Sequence, residues 1–237
     1  MKYPAPLYHL GEWITQRIFG NASPGMSRIK PATVRAYVSA IRSHHIDANY
    51  DTSVFNNPII KRILDGATSI NPSTTAERLP ITKDILAQLV TPNAQSVKDL
   101  NFNAAVTTAF AGFLRLGEIT YTKAQKDSHA FSATKCTRND ITLAEDHMTL
   151  RLKRSKTDVN HQGVLITIAA SGQPECAVRA IKHLFKNDPQ PRNAPLFRFE
   201  RSAFTSYAVR NELKCRVAAL GLHSKLYNGH SFRKGAA

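Results

Sequence analysis

The hydrophobic pattern of this chain breaks at residues 66–80 (GATSINPSTTAERLP), where small, polar and helix-breaking residues replace periodic apolar ones. A chain of 237 residues divided in this way folds as two units, each long enough to bury a core of its own. The expected organisation is a helical domain over 1–68, a linker over 69–80 and a larger domain over 81–237.

Ahead of the break, PATVRAYVSAIRSHHI opens with Pro31 at a helix start and puts Val34, Tyr37, Val38, Ile41 and His45 on one face at helical spacing. Arg35 and Arg42 share another face, a basic stripe suited to phosphate contact. Beyond it, Thr82 caps a helix running through Val90. A second helix begins at Asp99 or Asn101 and continues through NFNAAVTTAFAGFLRLGEI, with Phe102, Val106, Phe110 and Phe113 on its apolar face and Arg115 inside it. Residues 148–154 alternate and 164–168 are rich in β-branched side chains, so both read as strands joined as a hairpin through SKTDVNHQG, with Lys156 near the tip. Helices return over 175–187 and 202–220, the last stopped by Gly221. The fold class is therefore mainly α with a small antiparallel β-sheet.

Charge selects the partner. The chain carries 32 Lys and Arg against 17 Asp and Glu, net +15, and both parts share the excess: +4 up to Leu79 and +11 from Pro80 on. Such a surface attracts polyanions, and double-stranded DNA is the first candidate. Cys136, Cys176 and Cys215 are far apart with no C-x-x-C spacing, which reads as reduced, mostly buried thiols in an intracellular protein. No segment approaches the roughly 18 apolar residues of a membrane span, and the start has no uninterrupted apolar run. No metal site is expected from the histidine spacing, and no glycine-rich phosphate loop marks a nucleotide cofactor.

Three segments carry chemistry: FLRLGEIT at 113–120, RSKTD at 154–158 and GHSFRKGAA at 229–237. A guanidinium in the apolar surroundings of Arg115 calls for a cleft or a partner, and Glu118 lies three residues on. Arg115 and Arg233 have the planar, permanently charged donors that grip non-bridging phosphate oxygens as negative charge builds. Lys156 suits protonation of a leaving hydroxyl, and His230 suits proton exchange with the phosphate or a nucleophile. Arg151, Lys153 and Arg154, on and after the first hairpin strand, join Arg35 and Arg42 as candidate DNA contacts.

Arg115 with Glu118, then Lys156, then His230-x-x-Arg233 resembles the tyrosine recombinases, or phage integrases; GHSFRKGAA is closest to transposon-borne eukaryotic members. TVRAYVSAIRSHHI and FNNPIIKRILDGA look like that family's helical core-binding domain, and RLPITKDIL like the entry to its integrase-like catalytic domain. The resemblance implies a clamp around DNA, strand cleavage and rejoining through a phosphotyrosine in recombination or integration, no cofactor, homo-oligomers on DNA and, in a eukaryote, a nuclear location. In the family a third-box His or Trp and the nucleophilic Tyr follow His-x-x-Arg, whereas this sequence stops four residues after Arg233. The expectation is DNA binding by a chain unable to cleave alone. The competing expectations are a domesticated, non-catalytic DNA-binding or interaction protein, and a natural protein that continues to the Tyr.

Overall fold

A computed structural model describes residues 4–20, 28–72, 77–155, 158, 160, 162–200 and 202–236. The chain divides into two compact units, Met1–Ala76 and Glu77–Ala237.

The first unit is built from α1 (Leu7–Phe19), α2 (Pro31–Asp47) and α3 (Pro58–Ile70). Proline at the first position pre-sets the backbone of α2 and α3, and the Asn57 side chain accepts from the Ile59 amide at the start of α3. Leu10, Ile14 and Ile18 of α1 pack with Val34 and Val38 of α2 and Ile60, Leu64 and Ala67 of α3. His45 is fully buried: its Nε2 accepts from the Ala5 amide at 2.9 Å, while Nδ1 lies 2.8 Å from the Ile41 carbonyl. Two details differ from the sequence reading. Tyr37 is 47% exposed, because the α2 seam is narrow and follows Val34, Val38 and His45. The helix also runs past Gly66, whose surroundings are open, and ends at Ile70, so the break in pattern starts later than the composition suggests.

The second unit begins with α4 (Lys83–Leu89), where the Thr82 hydroxyl accepts from the Ile85 amide. Helix α5 (Val97–Ala111) starts earlier than expected, because Ser96 caps it through the Asp99 amide. Every residue from Leu100 to Ala109 is buried, so α5 is a central helix without a solvent face. It does not continue through FLRLGEI. Gly112 caps it, Phe113 turns the chain at a left-handed φ of 54° with its ring 50% exposed, and Arg115 precedes a separate turn, α6 (Leu116–Ile119). Phe113 is thus outside the apolar face assigned to it, and Arg115 is at a helix start.

Short turns α7 (Lys123–Lys126) and α8 (Phe131–Thr134) lead to a three-stranded antiparallel sheet of β1 (Ile141–Leu143), β2 (His147–Leu152) and β3 (Val164–Ala169), in that order. Register sets Ile141 opposite Leu150, and Met148 opposite Ile168, so one face feeds the core. The β2–β3 hairpin matches the sequence reading; β1 was not anticipated. Helix α9 (Ala177–Asn187) packs on α5. Helix α10 (Ser206–Ala219) is capped by Thr205 and followed by Gly221 at φ 75°. Last comes α11 (Gly229–Ala236). Cys136 and Cys176 are buried and Cys215 is exposed, all as free thiols. Among the described residues, no helix is long and apolar enough to cross a membrane.

Candidate functional site

The turn at Phe113 decides where Arg115 points. Leu114 and Leu116 on either side are buried, so the backbone is anchored while the Arg115 side chain stays 29% exposed. Glu118, three residues on, closes back on it: one carboxylate oxygen accepts from the Arg115 amide at 2.8 Å, the other from Arg115 Nη1 at 3.1 Å. Ser155, three residues beyond the end of β2, donates to the same Glu118 oxygen at 2.9 Å. Glu118 therefore spends its charge fixing the guanidinium. Among the described residues Nε and Nη2 of Arg115 have no partner, leaving two donors for a ligand.

These groups line a cleft of about 460 Å³. Arg115, Glu118 and Ser155 form one wall; Arg154, Lys135, Thr134 and Gln125 complete it. Three cations against one engaged carboxylate give the cleft a net positive charge. Lys135 is half-buried, its ammonium donating to the carbonyls of Gly117 at 3.1 Å and Thr120 at 2.8 Å, and burial pulls its pKa below the ordinary lysine range. The neighbouring Cys136 thiol is pushed up to about 12, chiefly by burial, and is neutral at physiological pH.

Helix α11 carries His230 and Arg233. Its first residue lies against the residue after Arg115: a Cβ on Gly229 would come within 2.7 Å of Leu116 Cδ1. Ser231 and Phe232 are buried while His230 and Arg233 are exposed. The Asn228 side chain accepts from the His230 amide at 2.8 Å. The segment RLPI stitches the helix in place, with Leu79 donating to Leu226, Ile81 to Ser231, and Lys234 back to the Arg78 carbonyl. The structure thus gathers Arg115, Glu118 and Arg154 in one cleft and sets the His230 helix beside their turn, although His230 and Arg233 do not line that cleft. Lys156 lies outside the described residues. Between β2 and β3, Asp158 accepts from the amides of Gln162 and Gly163.

The remaining candidates differ in availability. Arg42 and Arg151 are exposed. Arg35 is paired with Asp65 at 2.6 Å, and Lys153 with the buried Asp140 at 2.6 Å. Tyr227 is buried in the core and Tyr207 stands exposed on α10. No group of three or more potential metal ligands occurs among the described residues. Sequence reasoning missed Lys135 and Ser155. Ser155 is next to the assigned Lys156 in RSKTD, whereas Lys135 sits in a polar stretch with no periodicity to single it out.

No protein-family profile matches the sequence. Among characterised proteins, the chain is 27% identical over 223 residues to an integrase/recombinase of Selenomonas ruminantium, a xerD homologue, covering 88% of this chain and 60% of that protein. The XerH site-specific recombinase, solved on its difH substrate in a pre-cleavage complex, aligns over 97% of this chain and 65% of its own at 12% identity and a TM-score of 0.49. The XerA recombinase aligns over 96% and 72% at 15% identity and a TM-score of 0.40. The chain is mainly helical with a small antiparallel sheet and is similar in sequence, along most of its length, to the Selenomonas ruminantium integrase/recombinase. It spans less than two thirds of the length of its xerD-type relative.

Proposed function

We propose that this chain binds double-stranded DNA and grips one phosphodiester in the Arg115 cleft, as part of DNA recombination or integration. The observation that carries the reading is the Arg115 guanidinium, fixed on one side by Glu118 and offering two donors to a cleft that also holds Arg154 and Lys135. Those donors match two non-bridging oxygens, and their hydrogen bonds strengthen as charge accumulates on a phosphorus under attack. Arg233, exposed on α11, supplies the second guanidinium and His230 the proton exchange. Lys156 delivers a proton to the departing hydroxyl. No cofactor enters this scheme. Around the site, Arg42, Arg151 and Arg154 make positioning contacts with phosphates; Arg35 and Lys153 contribute only by sharing their charge with an acidic partner. The first unit serves as the core-binding domain, and copies of the protein assemble on DNA.

The test compares two variants that each remove two charges. Arg115→Ala/Arg233→Ala deletes the site, and Arg35→Ala/Arg42→Ala deletes the α2 stripe. Charged hydrogen bonds of about 1.5–3 kcal/mol each make the first variant's loss at least about a hundredfold in affinity for a duplex at about 50 mM salt. A larger loss in the Arg35/Arg42 variant would favour a non-catalytic binding protein that works through α2. No measurable DNA affinity of the unaltered chain at that salt would end both readings.

A further inference from the structure

We infer that Lys135 is a positioning residue for the Arg115–Glu118 pair: by holding the C-terminal end of the α6 turn it fixes the guanidinium that meets the phosphate. The inference rests on the reading of the cleft as a phosphate site and adds a residue to it.

A single helical turn is a poor platform for an active-site arginine. It makes almost no internal hydrogen bonds, and its carbonyls face outward unsatisfied. In α6 the carbonyls of Leu116, Gly117 and Glu118 are claimed from outside the turn's own ladder. The Thr120 hydroxyl donates to the Leu116 carbonyl at 2.6 Å, and the Cys136 thiol lies 3.8 Å from the Glu118 carbonyl. Lys135 takes the Gly117 carbonyl and, one residue past the turn, that of Thr120. The Glu118 backbone is therefore bracketed by carbonyls that Lys135 holds, while its carboxylate holds Arg115 at the opposite end. A cation at the carbonyl end of a helical turn also complements the local dipole. The two carbonyl hydrogen bonds, at 3.1 and 2.8 Å, bind the half-buried ammonium to the protein. Two of its three N–H donors are committed to carbonyls, so its action on the phosphate runs through the turn.

Three measurements on the full chain separate this role from a direct phosphate contact and from a bulk stability effect. Hydrogen exchange of the Glu118 amide, which donates to the Arg115 carbonyl at 2.9 Å, should be at least about tenfold faster in Lys135→Met. Affinity for a mixed-sequence duplex should fall in Lys135→Met by about fivefold or more, recover in Lys135→Arg, and fall much less when Arg115→Ala is already present. The slope of log affinity against log salt should stay within a few tenths of the unaltered chain's, whereas losing one phosphate contact lowers it by about 0.9. Additive losses with a reduced slope would make Lys135 a direct contact and overturn the inference, as would unchanged exchange at Glu118. If Lys135→Met does not fold, Lys135→Gln, which can keep one carbonyl bond, should give intermediate exchange and affinity; values equal to those of the unaltered chain would overturn it equally. An Arg115→Ala variant with full affinity would instead remove the phosphate reading, and the Glu118 exchange rate would still report whether Lys135 holds the turn.

Discussion

Replacing Asp188 by Asn tests whether the second unit depends on one buried carboxylate. Asp188 follows α9 and its side chain is 3% exposed. It accepts from Asn101 of α5 at 3.0 Å, from Arg138 at 3.2 Å, from Gln190 at 3.1 Å and from Arg198 through both Nε and Nη2. The two arginines are unequal partners. Burial drags the Arg138 pKa down despite the pairing, whereas the hydrogen bond to Asp188 raises that of Arg198. Arg138, 5% exposed and with its Nε unsatisfied, is the cation with most to lose. Asparagine keeps the shape and one acceptor but leaves that guanidinium uncompensated. Breaking a buried pair from one side costs about 3–5 kcal/mol, and the retained acceptor puts the loss at the lower end, about 3 kcal/mol. For a domain of this size that is a fall of roughly 6–12 °C in Tm. Arg138→Met, which removes the poorly solvated cation and leaves Asp188 on Arg198, should cost less. Burial pushes the Asp188 pKa up, but hydrogen bonds from Arg198 and Asn101 outweigh it and hold the folded value below the ordinary carboxylate. Its contribution is thus present above the unfolded pKa of about 3.9 and is lost as pH falls through the lower folded value. Urea titrations at neutral pH and at successively lower pH should show the gap between the unaltered chain and Asp188→Asn closing below about pH 4. A neutral-pH difference under about 1 kcal/mol, or Arg138→Met costing more than Asp188→Asn, would refute the argument.

Gly235→Ala should displace α11, because a Cβ there runs into the Ile81 carbonyl oxygen; DNA affinity should fall about as far as in Arg233→Ala, while hydrogen exchange in α5 and the sheet stays slow. Phe113→Gly should be neutral or stabilising by up to about 1 kcal/mol in thermal melts, since φ is 54° and half the ring is in solvent, and Phe113→Val should be destabilising. Lys153→Gln should lower Tm while leaving the salt slope of DNA binding nearly unchanged, because its ammonium is committed to the buried Asp140.

How far the sequence could be read follows from where the determining contacts lie. Periodicity and caps are local, so α2, α4, α9, α10 and the β2–β3 hairpin were legible from Pro31, Thr82, the alternation through Met148–Leu152 and the stop at Gly221. The error at Arg115 came from the same local logic. FAGFLRLG is apolar enough to extend a helix, and only a left-handed residue at a non-glycine position, Phe113, breaks it. Gly112 was the available signal, since glycine after an apolar run commonly ends a helix. The i,i+3 pairing of Arg115 with Glu118 survived the error because the spacing closes on a single turn as well as on a long helix. Strand β1, three residues long, has no period to read; the box in which Asp140 accepts from the Thr137 amide and hydroxyl precedes it directly. Lys135 and Asp188 were illegible for a deeper reason. Each is an ordinary charged residue just beyond a helix, and its consequence lies in carbonyls or guanidiniums brought from 10 to 50 positions away. The local code thus identified the Arg115–Glu118 pair, while the tertiary fold decides how rigidly that guanidinium is held, and under the proposed function rigidity is what separates a phosphate-gripping arginine from one more positive charge on a basic protein.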